Sequence, residues 1–570
     1  MAAADYVVIF GYCLLVLWIG LWFRKRLSTV ADYFAGGHQI PWWLAGISHY
    51  MSSFSAFSFI AYTQIAYLYG FTAVTLFWVS VPACLAGGLF FAKRWRRARV
   101  VTPVEFLRER YSSTLQQLCA WGGIPVKIFD DALKVFATGV FLSVVCGFSL
   151  SWSIVLCGAI MVAYSFFGGL WSLVITDYVQ FLMKSLAILL LVPLAFHASG
   201  GIKQGFSNLP HGFLKPVNAP YNWTYIVGFG CVMLMSYNAS WSLAQKYYSV
   251  PDEKAASKAA YLSAGLNLLG APLMILPGIL ARHFLPDLVS IGRSADTYVL
   301  LLVKLLPEGM VGIILAAMLS ATMAAVSSDF NAIASVLTQD VYHHFVNTTA
   351  SPKKLLQTGR LLTVVLGTLT TILSLWVVYS HQEALFSLMV TVFGVFLAPT
   401  LLPLLIGLLS KRATAAGSLT GFFLGLASGL IMLLLKTFWS GVAQFPGGEY
   451  EFEGIALILN TAMTIVGVIV GSMLSRRSEA EENSVAEFSV RMAHPVDVHE
   501  SPQPSGLETG PILPIATVSV AILIGVAGVI SHSAFARWLD GGAALFFLLA
   551  STGLTVLHKR AAARQTVRNR

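Results

Sequence analysis

Ser48-His49-Tyr50-Met51-Ser52-Ser53-Phe54-Ser55-Ala56-Phe57-Ser58 lies inside an otherwise apolar stretch, residues 42–69. A stretch of that length can cross a bilayer, which takes about 20 apolar residues. Small hydroxyl side chains at mid-membrane depth satisfy backbone groups freed where a helix unwinds. A second stretch, 223–245, carries Ser236-Tyr237-Asn238-Ala239-Ser240-Trp241-Ser242 and repeats the pattern. Paired interruptions at corresponding positions of two halves mark an inverted-repeat carrier. The plainer alternative is a pair of serine-rich helices that pack closely without breaking.

Working outward, fifteen stretches are apolar enough to span, at 5–23, 42–69, 71–92, 121–148, 150–168, 170–198, 223–245, 256–284, 307–338, 355–380, 383–410, 413–437, 454–475, 511–531 and 540–558. The two interrupted stretches are the second and the seventh. Repeats of five spans, 2–6 and 7–11, therefore have opposite topologies. Hydrophobic residues make up 57% of the 570 and charged residues 11%, against about 25% charged in soluble domains. The chain reads as an all-α integral membrane protein. Its domains read as an extra N-terminal helix and loop (1–41), a first repeat (42–222), a second repeat (223–412), two added helices (413–475), a polar linker (476–510), and a terminal hairpin with a basic tail (511–570).

The net charge of +10 does not point to nucleic acid, because the basic residues flank membrane segments. With the N-terminus outside, 26 of the 36 Lys and Arg fall inside and seven outside. That bias predicts a cytoplasmic C-terminus in a multi-pass plasma-membrane protein, or one of the inner membrane if the source is bacterial. The linker 476–509, rich in Glu, Ser and Pro, reads as disordered and cytoplasmic. No cleavable signal peptide is evident, because Asp5 precedes the first apolar run without a basic lead. The six cysteines sit in apolar runs without a CxxC, which disfavours disulfide and zinc frameworks.

Seven charged residues lie deep inside spans, more than five residues from either end: Lys127, Asp130, Asp131, Lys134, Asp177, Lys184 and Asp329. The first four are spaced i, i+3, i+4, i+7 and share one helix face. A charge at the bilayer centre costs roughly 2.5–3.5 kcal/mol on insertion scales, so such groups face a bundle interior or a wet cavity. Asp130 and Lys134 are expected to border a substrate path, where a zwitterion or carboxylate would meet Lys134. The structural alternative is a set of mutually neutralised charges holding helices together.

Four motifs resemble the solute:sodium symporters, the group that includes the sodium/glucose, proline and sialic acid cotransporters. They are Asp32-Tyr33-Phe34-Ala35-Gly36-Gly37 through Pro41-Trp42-Trp43; Tyr164-Ser165-Phe166-Phe167-Gly168-Gly169-Leu170-Trp171; Thr176-Asp177-Tyr178-Val179-Gln180; and Ala316-Ala317-Met318-Leu319-Ser320 through Asn331 to Thr338-Gln339-Asp340-Val341-Tyr342. The resemblance covers about residues 5–475. It implies a leucine-transporter-like 5+5 bundle with one extra N-terminal and about four extra C-terminal helices, and sodium-driven uptake of a small polar solute by alternating access.

By resemblance, the main sodium position uses the carbonyls of Met51, Phe54 and Ala321. The hydroxyl pair expected there falls on Ala324 and Ala325 and is missing. Sodium is a hard ion that takes about five or six oxygens, by analogy with other hard cations, so that position should be weak. A second position falls on Asp177, Ser327 and Ser328. Asp177 also has a plainer reading, as a packing carboxylate hydrogen-bonded to the serine pair. The substrate positions fall on Ser53, Ser58, Phe77, Ser80, Tyr237, Asn238, Ser240 and Trp241. This set lacks the polar groups of a hexose site, and Ser53 stands where the proline branch has an aspartate.

The resemblance implies sodium as the coupling ion, no organic cofactor, a lipid bilayer and a small solute as partners, and no obligate protein partner. Two rival readings stay open. One is proton coupling through Asp177 or Asp329; the other is a transporter-like membrane sensor. A membrane enzyme is disfavoured, because no HExxH, GxSxG or His/Asp constellation occurs.

Overall fold

The computed structural model describes residues 3–24, 30–306, 310–379, 385–496, 512–531 and 533–568. Among these residues every regular element is helical. Eleven helices are long and apolar enough to cross a membrane, and two further pairs qualify together across a bend. The pair Ser113–Cys146 and Leu150–Phe166 turns through 120°. An angle that large makes it a hairpin of two spans.

The bundle begins with α1 (Ala3–Arg24). The first interrupted span follows as two half-helices, α2 (Trp42–Ser52) and α3 (Ala56–Tyr69). Then come α4 (Thr72–Ala98), α5 (Ser113–Cys146), α6 (Leu150–Phe166) and α7 (Gly169–Ala198). The second half opens the same way, with α8 (Trp223–Ala239) and α9 (Trp241–Tyr248) meeting at 47°. It continues through α10 (Glu253–Phe284), α11 (Met310–Val346), α12 (Pro352–Tyr379) and α13 (Leu385–Leu409). Thus the interrupted second span and its partner five spans later are both real breaks.

Local chemistry explains the element ends. Gly169 separates α6 from α7 with φ 60° and ψ 179°, a backbone region open to glycine and strained for other residues. At the first break Ser53 turns its hydroxyl back onto the Tyr50 carbonyl at 2.7 Å. The amide of Phe54 falls back to Met51 O at 3.0 Å. The freed amide of Ala56 is taken by Thr322 Oγ1 of α11 at 2.8 Å. At the second break, His49 Nε2 lies 3.2 Å from the Tyr237 carbonyl, and Trp95 Nε1 donates to the Asn238 carbonyl at 2.8 Å. Each break is thus completed by side chains from other helices, as irregular backbone at membrane depth requires.

Beyond the ten core spans, α14 (Ala415–Phe438) and α15 (Gly448–Leu474) cross closely. A Cβ at Gly421 would come within 2.7 Å of the Thr464 carbonyl, the small-residue crossing typical of membrane helices. The linker does not behave as the composition suggests. Residues Glu479–Ala493 form a helix, α16, started by a Ser478 cap on the Glu481 amide. It docks on the end of α4 and the segment after it: Arg491 pairs with Glu109 at 2.7 Å, and Arg97 donates to the Met492 carbonyl at 3.0 Å. Residues 497–510 of the linker lie outside the described set. The terminal hairpin is α17 (Ile512–Ile530) and α18 (Ala534–Arg568), with α17 against α1.

Candidate functional site

Both breaks open onto one cavity of about 100 Å³. Eight serines line it: 52, 53, 55, 58, 80, 236, 240 and 242. Tyr62, Phe77, Tyr237 and Phe393 supply aromatic wall, and Lys127, Asp130, Lys134 and Asp329 supply charge. The hydroxyls of Ser80 and Ser240 are buried without a protein partner. A buried hydroxyl left unpaired costs about 1–3 kcal/mol, so these two are suited to meet water or a polar ligand.

Of the sequence-derived substrate positions, Ser53, Ser58, Phe77, Ser80, Asp130, Lys134, Tyr237 and Ser240 all line this cavity. Two do not. The Asn238 amide is spent on the Ala83 and Leu234 carbonyls at 2.9 and 2.8 Å. Trp241 faces a neighbouring void of about 30 Å³. The lining serines that sequence reasoning missed are Ser52, Ser55, Ser236 and Ser242, and it also missed the role of Asp329 and Lys127 as cavity wall. The serine-rich runs contained the signal for all four serines.

The charged stripe of α5 closes on α11. Lys134 Nζ meets Asp130 at 2.9 Å, Asp131 at 2.9 Å and Asp329 at 3.0 Å. Lys127 Nζ meets Asp329 at 3.2 Å and Asp130 at 3.6 Å. Three carboxylates against two ammonium groups leave a formal excess of one negative charge. Lys134 is therefore engaged by three carboxylates, which runs against its expected role of reading a carboxylate solute. Asp131 lies behind the cavity, whose own lining carries two carboxylates and two ammonium groups; the negative excess of the cluster as a whole favours a cationic group.

The second cation position is built differently from the expected one. Asp177 of α7 accepts a short hydrogen bond from Ser48 of α2 through Oδ2, while its Oδ1 has no partner and the residue is fully buried. Ser327 turns away and donates to the Met323 carbonyl of its own helix. Ser328 accepts from Ser52 Oγ at 3.1 Å and from Lys246 Nζ at 3.4 Å. Lys246, counted in the sequence as an inside-loop residue, is in fact fully buried on α9 and interacts electrostatically with Asp177 and Asp329. Asp177 Oδ1 is thus open to a cation, while the Ser328 hydroxyl is engaged by Ser52 and Lys246 and the Ser327 hydroxyl by its own helix.

The main position fits less well. The Thr322 bond to Ala56 brings the Ala321 turn of α11 against the first break, so the carbonyls of Met51, Phe54 and Ala321 belong to one neighbourhood. Ala324 and Ala325 are buried there and bring only methyl groups. Lys184 approaches from α7. Its Nζ lies 3.8 Å from the Tyr50 ring centre and 3.2 Å from that of Phe54.

The comparisons with known proteins concern the family and the fold. The model of the sodium:solute symporter family matches residues 33–425. The sodium/sialic acid symporter of Proteus mirabilis is 23% identical over 492 residues, covering 83% of this chain and 95% of that protein. The sodium/sialic acid symporter of Aliivibrio fischeri is 26% identical over 498 residues, covering 84% and 95%. Among solved structures, a substrate-bound, outward-open Na+-coupled sialic acid symporter superposes with a TM-score of 0.72 at 22% identity, covering 84% of this chain and 99% of that one. That likeness carries the leucine-transporter-like fold, and the match to the family model covers more than half of the chain. The chain is a membrane transporter and not an enzyme, and it belongs to the sodium:solute symporter family.

Proposed function

We propose that this sodium-coupled symporter carries a small polar organic solute with a cationic centre, as a cation or a zwitterion, into the cell by alternating access. The observation that supports this reading is the serine-lined cavity between the two breaks, where the Asp130 and Asp329 carboxylates line the wall beside Lys127 and Lys134, with the Asp131 carboxylate behind them on Lys134. In this reading the serine hydroxyls and Tyr237 take the solute's polar groups, and Asp130 with Asp329 meets its positive end. The coupling sodium is bound by Asp177 Oδ1, with the carbonyls of Met51, Phe54 and Ala321 as the second position. The repeats are residues 42–222 and 223–412, followed by two added helices and a terminal hairpin. The N-terminus is outside and the C-terminus cytoplasmic.

The test is uptake into proteoliposomes. Purified protein is first screened by thermal shift against amino acids, betaines, amino sugars, neutral polyols and carboxylates, with sodium or choline as the salt. A solute that binds the folded state raises its melting temperature. The stabilising solute is then followed under an inward sodium gradient at equal pH. Uptake that follows a pH gradient and ignores sodium would replace sodium coupling with proton coupling through Asp177 or Asp329. Stabilisation by carboxylates alone would overturn the cationic-solute reading.

A further inference from the structure

A larger cavity, of about 400 Å³, lies between the ends of α4 and α13 and one side of α16. It shares no lining residue with the serine-lined cavity. Lys93, Arg94, Arg97, Arg110 and Lys411 line it, and among the described residues no carboxylate does. The α16 wall is Val485, Phe488, Ser489 and Met492, whose spacing puts them on one side of that helix.

Most of this positive charge is not cancelled locally. Glu253 pairs with Arg97 at 2.9 Å. Glu481 acts electrostatically on Arg110, but its carboxylate accepts from the Ala415 amide. Arg110 is 1% exposed; its Nη2 donates to the Ser410 and Ala413 carbonyls at 2.8 and 3.0 Å, and its Nη1 is buried without a partner. Lys93 and Lys411 are exposed, and their ammonium groups have no hydrogen bond or ion pair among the described residues. Lys93 and Arg97 stand at i, i+4 on α4, a spacing at which like charges repel. A positive-inside bias accounts for basic residues on this side of the bilayer, but not for five of them around one cavity.

The apolar surroundings set the depth. Leu85 and Leu89 precede Lys93 on successive turns of α4 and are exposed, as is Leu409 at the end of α13. A spanning helix that passes from exposed leucine to Lys and Arg within a turn leaves the hydrocarbon for the headgroup layer. Leu89 and Leu409 also line the cavity, so its wall is continuous with the lipid-facing surface.

We propose that this cavity binds a phosphate group, that of an anionic phospholipid whose acyl chains lie along the exposed leucines of α4 and α13. Guanidinium groups meet phosphate oxygens in pairs, and ammonium groups add point charge. Basic pockets between helix ends suit such headgroups. Because α16 supplies one wall, a bound headgroup ties the linker helix to the bundle. The inference is independent of the solute and of the coupling ion.

The experiment follows the melting temperature of the full-length protein in a nonionic detergent at constant sodium. It is titrated with phosphatidylglycerol, phosphatidylcholine or inorganic phosphate. Phosphatidylglycerol is expected to raise the melting temperature saturably and phosphatidylcholine to leave it unchanged. K93Q/K411Q should move half-saturation to about tenfold more phosphatidylglycerol. K353Q/K354Q removes the same charge from exposed positions at the start of α12 and should titrate as wild type. Equal loss in both double variants, or no loss in either, overturns the proposal. A response to inorganic phosphate without one to phosphatidylglycerol assigns the cavity to a soluble anion and overturns the lipid reading. If K93Q/K411Q does not fold, K93Q and K411Q are read singly. A shift of about fivefold in either supports the proposal, and wild-type titrations in both overturn it.

Discussion

At the scale of single residues, chemistry turns on which charges are left over. Asp177 presents one unpartnered carboxylate oxygen in a fully buried setting, and it supplies the formal negative charge of the proposed sodium position. Asp177→Asn is expected to abolish sodium-stimulated uptake, measured with the solute found in the screen; unchanged sodium dependence would refute the assignment. In the cavity, Asp130→Asn leaves Asp131 and Asp329 to balance Lys127 and Lys134. That variant should stay folded, while affinity for a cationic or zwitterionic solute falls about tenfold or more, roughly 1.4 kcal/mol. Wild-type affinity measured by isothermal titration would remove Asp130 from the substrate path. Lys134→Gln differs in kind, because three carboxylates lose their shared ammonium. Breaking a buried ion pair from one side costs about 3–5 kcal/mol. Its melting temperature should drop, and Lys134→Gln with Asp131→Asn should recover part of the loss in a double-mutant cycle.

At the scale of elements, helices stop where a side chain or a glycine offers the backbone another arrangement. Gly169 is the clearest case. An alanine there must adopt φ 60° and ψ 179°, at a cost of about 1–3 kcal/mol. Gly169→Ala is expected to lower the melting temperature or the yield of folded protein, and a variant as stable as wild type would show that the α6–α7 junction tolerates another geometry. The linker helix α16 shows how composition can mislead. Its residues are polar and acidic, which reads as disorder, yet Ser478 and Glu481 carry the spacing of a helix-start signal. The Ser478 hydroxyl accepts from the Glu481 amide, and the Glu481 carboxylate accepts from the Ala415 amide at 2.7 Å. The polar face of α16 is satisfied by Glu109 and the start of α14, which composition does not encode.

At the scale of the whole molecule, the arrangement of charge across the bilayer sets orientation. Asn483, exposed on α16, and Ser207, exposed in the 199–222 loop, report opposite sides in this reading. In a cysteine-free background, Ser207→Cys should react with an impermeant maleimide added to intact cells, and Asn483→Cys should react only after permeabilisation. The reverse pattern would invert the topology. Lys246 no longer counts toward the inside excess because it is buried in the core, but the remaining bias keeps its sign.

Hydropathy and side-chain chemistry are local properties. They were enough to read the membrane class, most span limits, the two breaks and the lining pair Asp130 and Lys134 directly from the order of the amino acids, while the other six expected lining residues came from the resemblance to a family. The α5 stripe was legible as a stripe for the same reason, since helical spacing alone puts its four charges on one face. Its partner was not. Asp329 reaches Lys134 across 195 positions of chain and Lys127 across 202, and only the packing of α11 against α5 selects it. The cation positions divide the same way. Asp177 stood out as a carboxylate in an apolar span. Folding then assigned it to Ser48 in place of the expected serine pair, sent the Ser327 hydroxyl to its own helix, and brought Lys246 onto Ser328 and Lys184 onto the first break. Each of those choices pairs groups from different helices in a medium without water, where every polar atom must find its partner among whichever neighbours the fold provides.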